Sequence, residues 1–273
     1  MTILVTGATG TVGRHVVDQL IEAGQRVRAL TRNPAKANLP RPVEVVAGDL
    51  TKPATLEVAL DGVTGMHLLN ASGHDHTPLQ TGPDIVALAT QAGVRRVTVL
   101  AAGQNGPVEQ AVAASDLEWT QVWPIDYMAN TLGWAESIRT KGVVREPYGG
   151  RRTASVDEAD VAAVVVAVLL KGGHAGKTYK ISGPEALTPV DKVRVIGATI
   201  GRDLRFVELT NDQAREQWRK EGWPEEGIEF MLHMWASVPA AVGEVVPTVE
   251  QITGRLPRSF ARWAAEHAAA FRS

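Results

Sequence analysis

Residues 3–20 constrain the chain more than any other stretch. Ile3, Leu4 and Val5 form an apolar run that leads directly into Thr6-Gly7-Ala8-Thr9-Gly10-Thr11-Val12-Gly13. Val12, Val16, Val17 and Leu20 then recur at helical spacing and define one apolar face. A strand, a glycine-rich turn and a helix in immediate succession form the context in which such a string can hold a dinucleotide. Gly7 permits the tight turn, Gly10 lets backbone approach a pyrophosphate, and Gly13 lets helix and strand pack closely. The helix start offers unsatisfied N–H groups and a partial positive charge to phosphate oxygens. The pattern predicts a phosphate cradle lined by Gly7, Thr9, Gly10, Thr11, Val12 and Gly13; its bland counterpart is an ordinary glycine-rich turn.

The rest of the first half repeats that unit. Strand-like runs at 27–31, 43–46, 66–70, 96–101 and 119–123 alternate with helical patterns at 11–23, 53–60, 83–93 and 106–115. Such alternation predicts an α/β fold, a doubly wound parallel sheet of Rossmann type. After Pro124 the rhythm breaks. Helical patterns follow at 126–140, 157–171, 188–200, 211–221, 224–236 and 257–271, with strand candidates at 177–182 and 204–208. The expected division is a dinucleotide-binding core over 1–124. Residues 125–273 form a smaller, mostly helical substrate lobe and lid that covers the binding edge of the sheet, with some segments returning to the core.

Composition narrows the function classes. A net charge of −2 gives no electrostatic case for nucleic acid or for an anionic membrane. The absence of cysteine excludes disulfides, thiolate metal sites and cysteine nucleophiles. The first residues already read as a core strand, so no signal peptide is expected. The longest apolar run, Val161 to Leu170, is far shorter than the roughly 20 residues of a membrane helix. A cytoplasmic protein with a small-molecule substrate is the expectation; oligomeric state is left open because no heptad pattern is present.

The loops at the carboxyl ends of the strands are where such a sheet binds ligands. An NAD site usually carries an acidic residue about 20 residues past the glycines, at the end of the second strand. Here that region reads Leu30-Thr31-Arg32-Asn33-Pro34. Arg32 suits a phosphate through its planar fork, and Thr31, Asn33 and Lys36 can add to it, so the charge argument favours NADP(H). Gly48-Asp49-Leu50 follows the third strand, where Asp49 could instead cap the next helix. Asn70-Ala71-Ser72 and Ala101-Ala102-Gly103 follow the fourth and fifth strands, and are expected to border ribose and nicotinamide.

The Thr-Gly-Ala-Thr-Gly opening with glycines three apart resembles the short-chain dehydrogenase/reductase superfamily in its extended and atypical branches. In the usual members of that superfamily a tyrosine, with a lysine four residues later, protonates the substrate oxygen. Residues 102–118 contain neither, and Thr131, Arg152 and Gly183 stand four residues beyond Tyr127, Tyr148 and Tyr179. The pair is absent everywhere. With Arg32-Asn33-Pro34, Trp123-Pro124-Ile125-Asp126-Tyr127-Met128-Ala129-Asn130, Ser155-Val156-Asp157-Glu158-Ala159-Asp160-Val161-Ala162 and Thr178-Tyr179-Lys180-Ile181-Ser182-Gly183-Pro184-Glu185, the chain resembles the NmrA-like atypical group. The resemblance implies that Asp49-Leu50 sits beside adenine, and that Pro124, Asp126 and Tyr127 lie in the turn that meets nicotinamide. It also implies one of two activities, since members include quinone and ketone reductases and NADP-sensing regulators that catalyse nothing.

Candidate proton donors are therefore weak ones. Tyr127 lies just past the sixth strand, where a packed aromatic with a satisfied hydroxyl is the plainer reading. His74 and His76 flank Asp75, and histidine titrates near neutrality, although a solvated loop is the plainer reading. No third ligand accompanies them, so no metal is expected. All seven tryptophans fall after residue 118, and Met128, Met231, Met234 and Phe230 join them. Such side chains either pack small helices together or line a pocket for a large, flat ligand. In the second case Tyr127, Met128, Trp134, Phe230, Met231, Met234 and Trp235 form the substrate pocket, and 211–240 is a lid. The combined expectation is an NADPH-dependent reductase of a ketone or quinone on a bulky aromatic or polycyclic substrate, as in antibiotic biosynthesis; the alternative is a non-catalytic NADP(H) sensor.

Overall fold

A computed structural model describes residues 1–73, 77–101, 105–237 and 242–272. The chain divides into two compact units: 1–124 with 158–181 and 248–255, and 125–157 with 182–247 and 256–273.

The first unit is built on a parallel sheet. Its strands are β1 (Thr2–Val5), β2 (Arg26–Thr31), β3 (Glu44–Ala47), β4 (Gly65–Leu69), β7 (Arg96–Leu100), β8 (Glu118–Pro124) and β10 (Lys177–Ile181). They lie in the order β10-β8-β7-β4-β1-β2-β3, every neighbouring pair parallel, with Ile3 opposite Val27 on one side and Gly65 on the other. This is the doubly wound Rossmann arrangement, whose strand order reverses at β1. A two-stranded antiparallel pair, β5 (Ala71–Ser72) and β6 (Thr77–Pro78), stands outside it. All four residues of β1 are buried, as a central strand covered on both faces requires. On one face Met66, Leu68, Val97 and Val99 pack with Ile85, Val108 and Val112 from the helices Gly82–Gln91 and Pro107–Ala113. On the helix Thr11–Glu22 the buried residues are Val12, Gly13, Val16, Val17 and Leu20, the face anticipated from spacing. It packs against the helix Glu158–Leu170, in which eleven of thirteen residues are buried. That helix is apolar all round because it is a core element, and among the described residues no helix is long and apolar enough to cross a membrane.

The second unit is mostly helical. β9 (Val143–Glu146) pairs in parallel with β11 (Arg205–Glu208), Val144 opposite Phe206. Sequence periodicity anticipates β11 and leaves β9 unassigned, because four residues ending in Arg145-Glu146 carry too little pattern. The helix expected over 126–140 begins instead as a 3-10 segment, Met128–Trp134, and becomes α-helical only over Ala135–Lys141. The one expected over 257–271 breaks at His267 into Phe260–Glu266 and Ala268–Phe271. Two apolar clusters hold the unit. One surrounds the fully buried Trp263, which stacks on Phe260 and His267. The other joins the helices Asn211–Lys220 and Glu225–Ala236 through Ala214, Trp218, Ile228 and Leu232.

Candidate functional site

In the first unit the glycine loop forms a cradle that side chains would fill. Gly7 has φ +63°, a conformation that favours glycine, and a Cβ there would lie 2.6 Å from Leu69 Cδ1. A Cβ on Gly13 would lie 2.0 Å from the Gly7 carbonyl oxygen, so helix and loop touch backbone to backbone. The loop closes through the Gly10 amide, which donates to the Gly7 carbonyl at 2.8 Å. Gly10 caps the helix Thr11–Glu22 with no side-chain hydrogen bond, and no acidic residue occupies the first turn. The amides of Thr11, Val12 and Gly13 thus lack intrahelical acceptors, and nothing in that turn repels an anion. Thr9, Gly10 and Thr11 are exposed and Val12 is buried.

Two guanidinium groups of this unit suit an anion: Arg14 directly follows the loop and Arg32 directly follows β2. Arg32 is exposed at the end of β2 and close enough to Asp49 to act on it electrostatically. Arg14, which the sequence reading passes over, donates from Nε to the Thr9 carbonyl at 3.0 Å and from Nη1 to the Asn38 carbonyl at 3.3 Å. The signal was present: a basic residue directly after the third glycine lies on the first turn of the helix, beside any bound phosphate. Asn33 is exposed at the start of a short 3-10 turn whose end its side chain does not cap.

The remaining loops in this unit carry internal duties as well. Asp49 Oδ1 accepts from the Thr51 amide at 2.9 Å and the Thr51 hydroxyl at 2.8 Å. The backbone hydrogen bond from Thr51, with smaller help from Arg32 and Lys52, holds its carboxyl below the usual range. The Leu50 carbonyl accepts from Thr81 at 2.6 Å, and a Cβ on Gly48 would meet Leu30 at 2.6 Å. Asn70 donates to Glu109 at 2.7 Å, a carboxylate buried in the first turn of the helix Pro107–Ala113. Ala71 and Ser72 are half-buried, while Ala101 and Pro124 are buried. His74, His76 and Ala102 lie outside the described residues.

In the second unit Asp126 stands at the centre of a polar cluster. Its Oδ1 accepts from Asn130 at 2.7 Å, and its Oδ2 accepts from the Ser155 hydroxyl. Lys192 Nζ donates to Ser155 at 2.6 Å and Thr153 at 3.1 Å, and reaches Asp126 Oδ2 at 3.4 Å. Lys192 is almost wholly buried, and that burial lowers its pKa against the opposing pull of Asp126. The sequence reading gives Lys192 no role, because a lone lysine at the start of an amphipathic helix reads as solvated. Tyr127, half-buried, precedes the 3-10 segment, and its backbone bridges to Val156.

The residues proposed for a substrate pocket separate into two groups. Met128 is 1% exposed and belongs to the cluster around Trp263, and Trp134 packs against the same cluster while donating to Glu146 at 2.5 Å. Met231 and Trp235 pack on the Trp218 cluster, where the Arg151 guanidinium lies 3.9 Å over the Trp235 ring. Phe230 and Met234, by contrast, are exposed on the helix Glu225–Ala236, as is Trp223 just before it. Most of the tryptophans therefore pack helices, and an exposed apolar face remains on one of them. Among the described residues no group of His, Asp and Glu is arranged to hold a metal ion.

The glycine cradle, the uncapped helix start and the two arginines fit a dinucleotide pyrophosphate and its flanking phosphate. A family model described as NAD(P)H-binding matches residues 7–171. The chain is 41% identical to a (4-alkanoyl-5-oxo-2,5-dihydrofuran-3-yl)methyl phosphate reductase of Streptomyces griseus, over 98% of this chain and 99% of that protein. It is 36% identical to an NAD(P)H azoreductase of Xenophilus azovorans, over the same shares of both chains. Its fold matches the crystal structure of the Citrobacter sp. triphenylmethane reductase complexed with NADP(H), with a TM-score of 0.81 and 22% identity over 98% of this chain and all of that one. The protein is thus an NAD(P)H-dependent oxidoreductase, and it belongs to the NAD(P)H-binding family that this model describes.

Proposed function

We propose that this oxidoreductase uses NADPH to reduce a conjugated carbonyl, a quinone or an unsaturated ketone, on a bulky aromatic or polycyclic substrate of natural-product biosynthesis in the cytoplasm. The carrying observation is a cofactor cradle without the tyrosine–lysine acid pair. Bound NAD(P)H supplies a hydride. An isolated ketone that takes a hydride becomes a localised alkoxide and demands a strong proton donor or oxyanion site. A conjugated acceptor spreads the same charge over several atoms and demands far less. The two relatives named above support this reading, because a furanone bearing an acyl group and an azo compound are both conjugated acceptors.

Gly7, Thr9, Gly10, Thr11, Val12 and Gly13 would hold the pyrophosphate. Arg32, with Arg14 and Asn33, would hold the 2′-phosphate, while Gly48, Asp49, Leu50, Asn70, Ala71, Ser72, Ala101 and Pro124 of the same unit would border the remainder. Phe230 and Met234 present an apolar face suited to a flat ring system.

The test is NADPH oxidation against a panel of isolated ketones, quinones and conjugated lactones, repeated with Phe230→Ser. Conjugated acceptors should turn over fastest, and the variant should raise KM for bulky ones more than for small ones. Equal rates for isolated and conjugated ketones overturn the assignment of the acceptor. Tight NADPH binding with no turnover across the panel favours a sensor.

A further inference from the structure

Glu109 is a buried acid with no place in the phosphate cradle. It is 1% exposed, in the first turn of the helix Pro107–Ala113, and its Oε2 has no hydrogen-bond partner among the described residues. Burying a carboxyl group away from water is costly unless its oxygens are satisfied. Its Oε1 accepts from Asn70 Nδ2 at 2.7 Å, across 39 residues of sequence. Backbone contacts hold both ends of this pair. A Cβ on Gly82 would lie 2.7 Å from the Val108 amide nitrogen, so the helix Gly82–Gln91 touches the turn that carries Glu109. The Asn70 carbonyl accepts from the Leu79 amide at 2.9 Å.

Asn70 directly follows β4, the neighbour of β1 at the point where the strand order reverses. The glycine loop leaves β1 against the same place. Thr6 Oγ1 accepts from the Leu69 amide at 2.9 Å, and Gly7 has no room for a Cβ beside Leu69 Cδ1. Asn70 is therefore one residue along from the contact that seats the phosphate loop, and it is half-buried where Glu109 is sealed. A carboxylate oxygen accepts and cannot donate, so the Asn70 amide turns its NH2 to Glu109. Its carbonyl oxygen Oδ1 is left to accept from another group. The amide cannot flip without setting two acceptors against each other.

We infer that Glu109 is a positioning residue for NAD(P)H: it fixes the Asn70 amide so that Oδ1 accepts from a hydroxyl of the ribose that carries nicotinamide. The inference rests on the preceding reading that Asn70 borders the cofactor. Glu109 does not touch the cofactor and acts through Asn70 alone.

Calorimetric titration of the whole protein with NADPH and with adenosine 2′,5′-bisphosphate separates this role from a structural one, because the second ligand lacks the nicotinamide ribose. Glu109→Leu should weaken NADPH about tenfold, the scale of one lost hydrogen bond, and leave the bisphosphate within about twofold. Glu109→Gln keeps an acceptor oxygen for Asn70 and should bind NADPH within about twofold of the unaltered protein. Asn70→Ala should match Glu109→Leu, and the two together should be no worse than either one. Equal weakening of both ligands, or additive losses in the double variant, overturn the positioning role. NADPH weakened by Asn70→Ala but not by Glu109→Leu overturns the role of Glu109 alone. Unchanged NADPH affinity in Asn70→Ala overturns the placement of Asn70, and the inference with it. If Glu109→Leu does not fold, exchanging donor and acceptor decides the matter. Asn70→Asp alone should weaken NADPH by setting two carboxyl groups together, and adding Glu109→Gln should restore it. Failure of that restoration overturns the inference.

Discussion

His67 makes a quantitative demand on the stability of this protein. It lies in β4 with no exposed surface, its Nδ1 pairs with the Thr98 hydroxyl at 2.9 Å, and its Nε2 has no hydrogen-bond partner among the described residues. Desolvation holds its pKa at about 4, against an ordinary value of 6.5. Above about pH 6.5 the imidazole is neutral in both the folded and unfolded chain, and it contributes no pH dependence. Between those two values only the unfolded chain takes up the proton, so stability falls as pH falls, at ~1.4 kcal/mol per pH unit. Across the full window the loss is roughly 3 kcal/mol, a large share of the ~5–15 kcal/mol of a typical domain. His67→Leu removes the titration, and its cost in packing and in the unpaired Thr98 hydroxyl does not change with pH. The assay is urea unfolding of the parallel sheet, followed by far-UV circular dichroism at several pH values between about 7 and 4. The difference in stability between the unaltered protein and the variant should shift by roughly 3 kcal/mol over that range, in favour of the variant at the acid end. Parallel pH profiles would refute the argument, since they would mean that the folded protein accommodates a charged His67 without penalty.

Two further outcomes concern the cofactor. Gly13→Ala forces a methyl group against the Gly7 carbonyl, 2.0 Å from its oxygen, so the loop must open. The strain of about 1–3 kcal/mol should appear as a lowered melting temperature and a weaker thermal shift on adding NADPH. Arg32→Ala should weaken NADPH by about tenfold while leaving NADH nearly unchanged, as measured by calorimetry. Equal losses for both cofactors would move the 2′-phosphate to Arg14, which Arg14→Ala then tests in the same way.

Much of the cofactor half can be read directly from the residues because its signals are local. The strand–glycine–helix start, the helix face of Val12, Val16, Val17 and Leu20, and the run of parallel strands each lie within a few dozen consecutive residues. There, steric demands and hydrophobic period leave few alternatives. The missing tyrosine–lysine pair is also a sequence fact, and it alone redirects the chemistry. What only the tertiary structure decides is partnership. No period marks Lys192 as buried, Ser155 as the link between Lys192 and Asp126, or His67 as a buried imidazole paired with Thr98, because their partners lie 29 to 66 residues away. Tryptophans 134, 218, 235 and 263 illustrate the same limit: a pocket wall and a helix contact use the same apolar side chains. Burial and charge pairing depend on which distant segments meet, and that is settled by packing of the whole unit rather than by any residue's immediate neighbours.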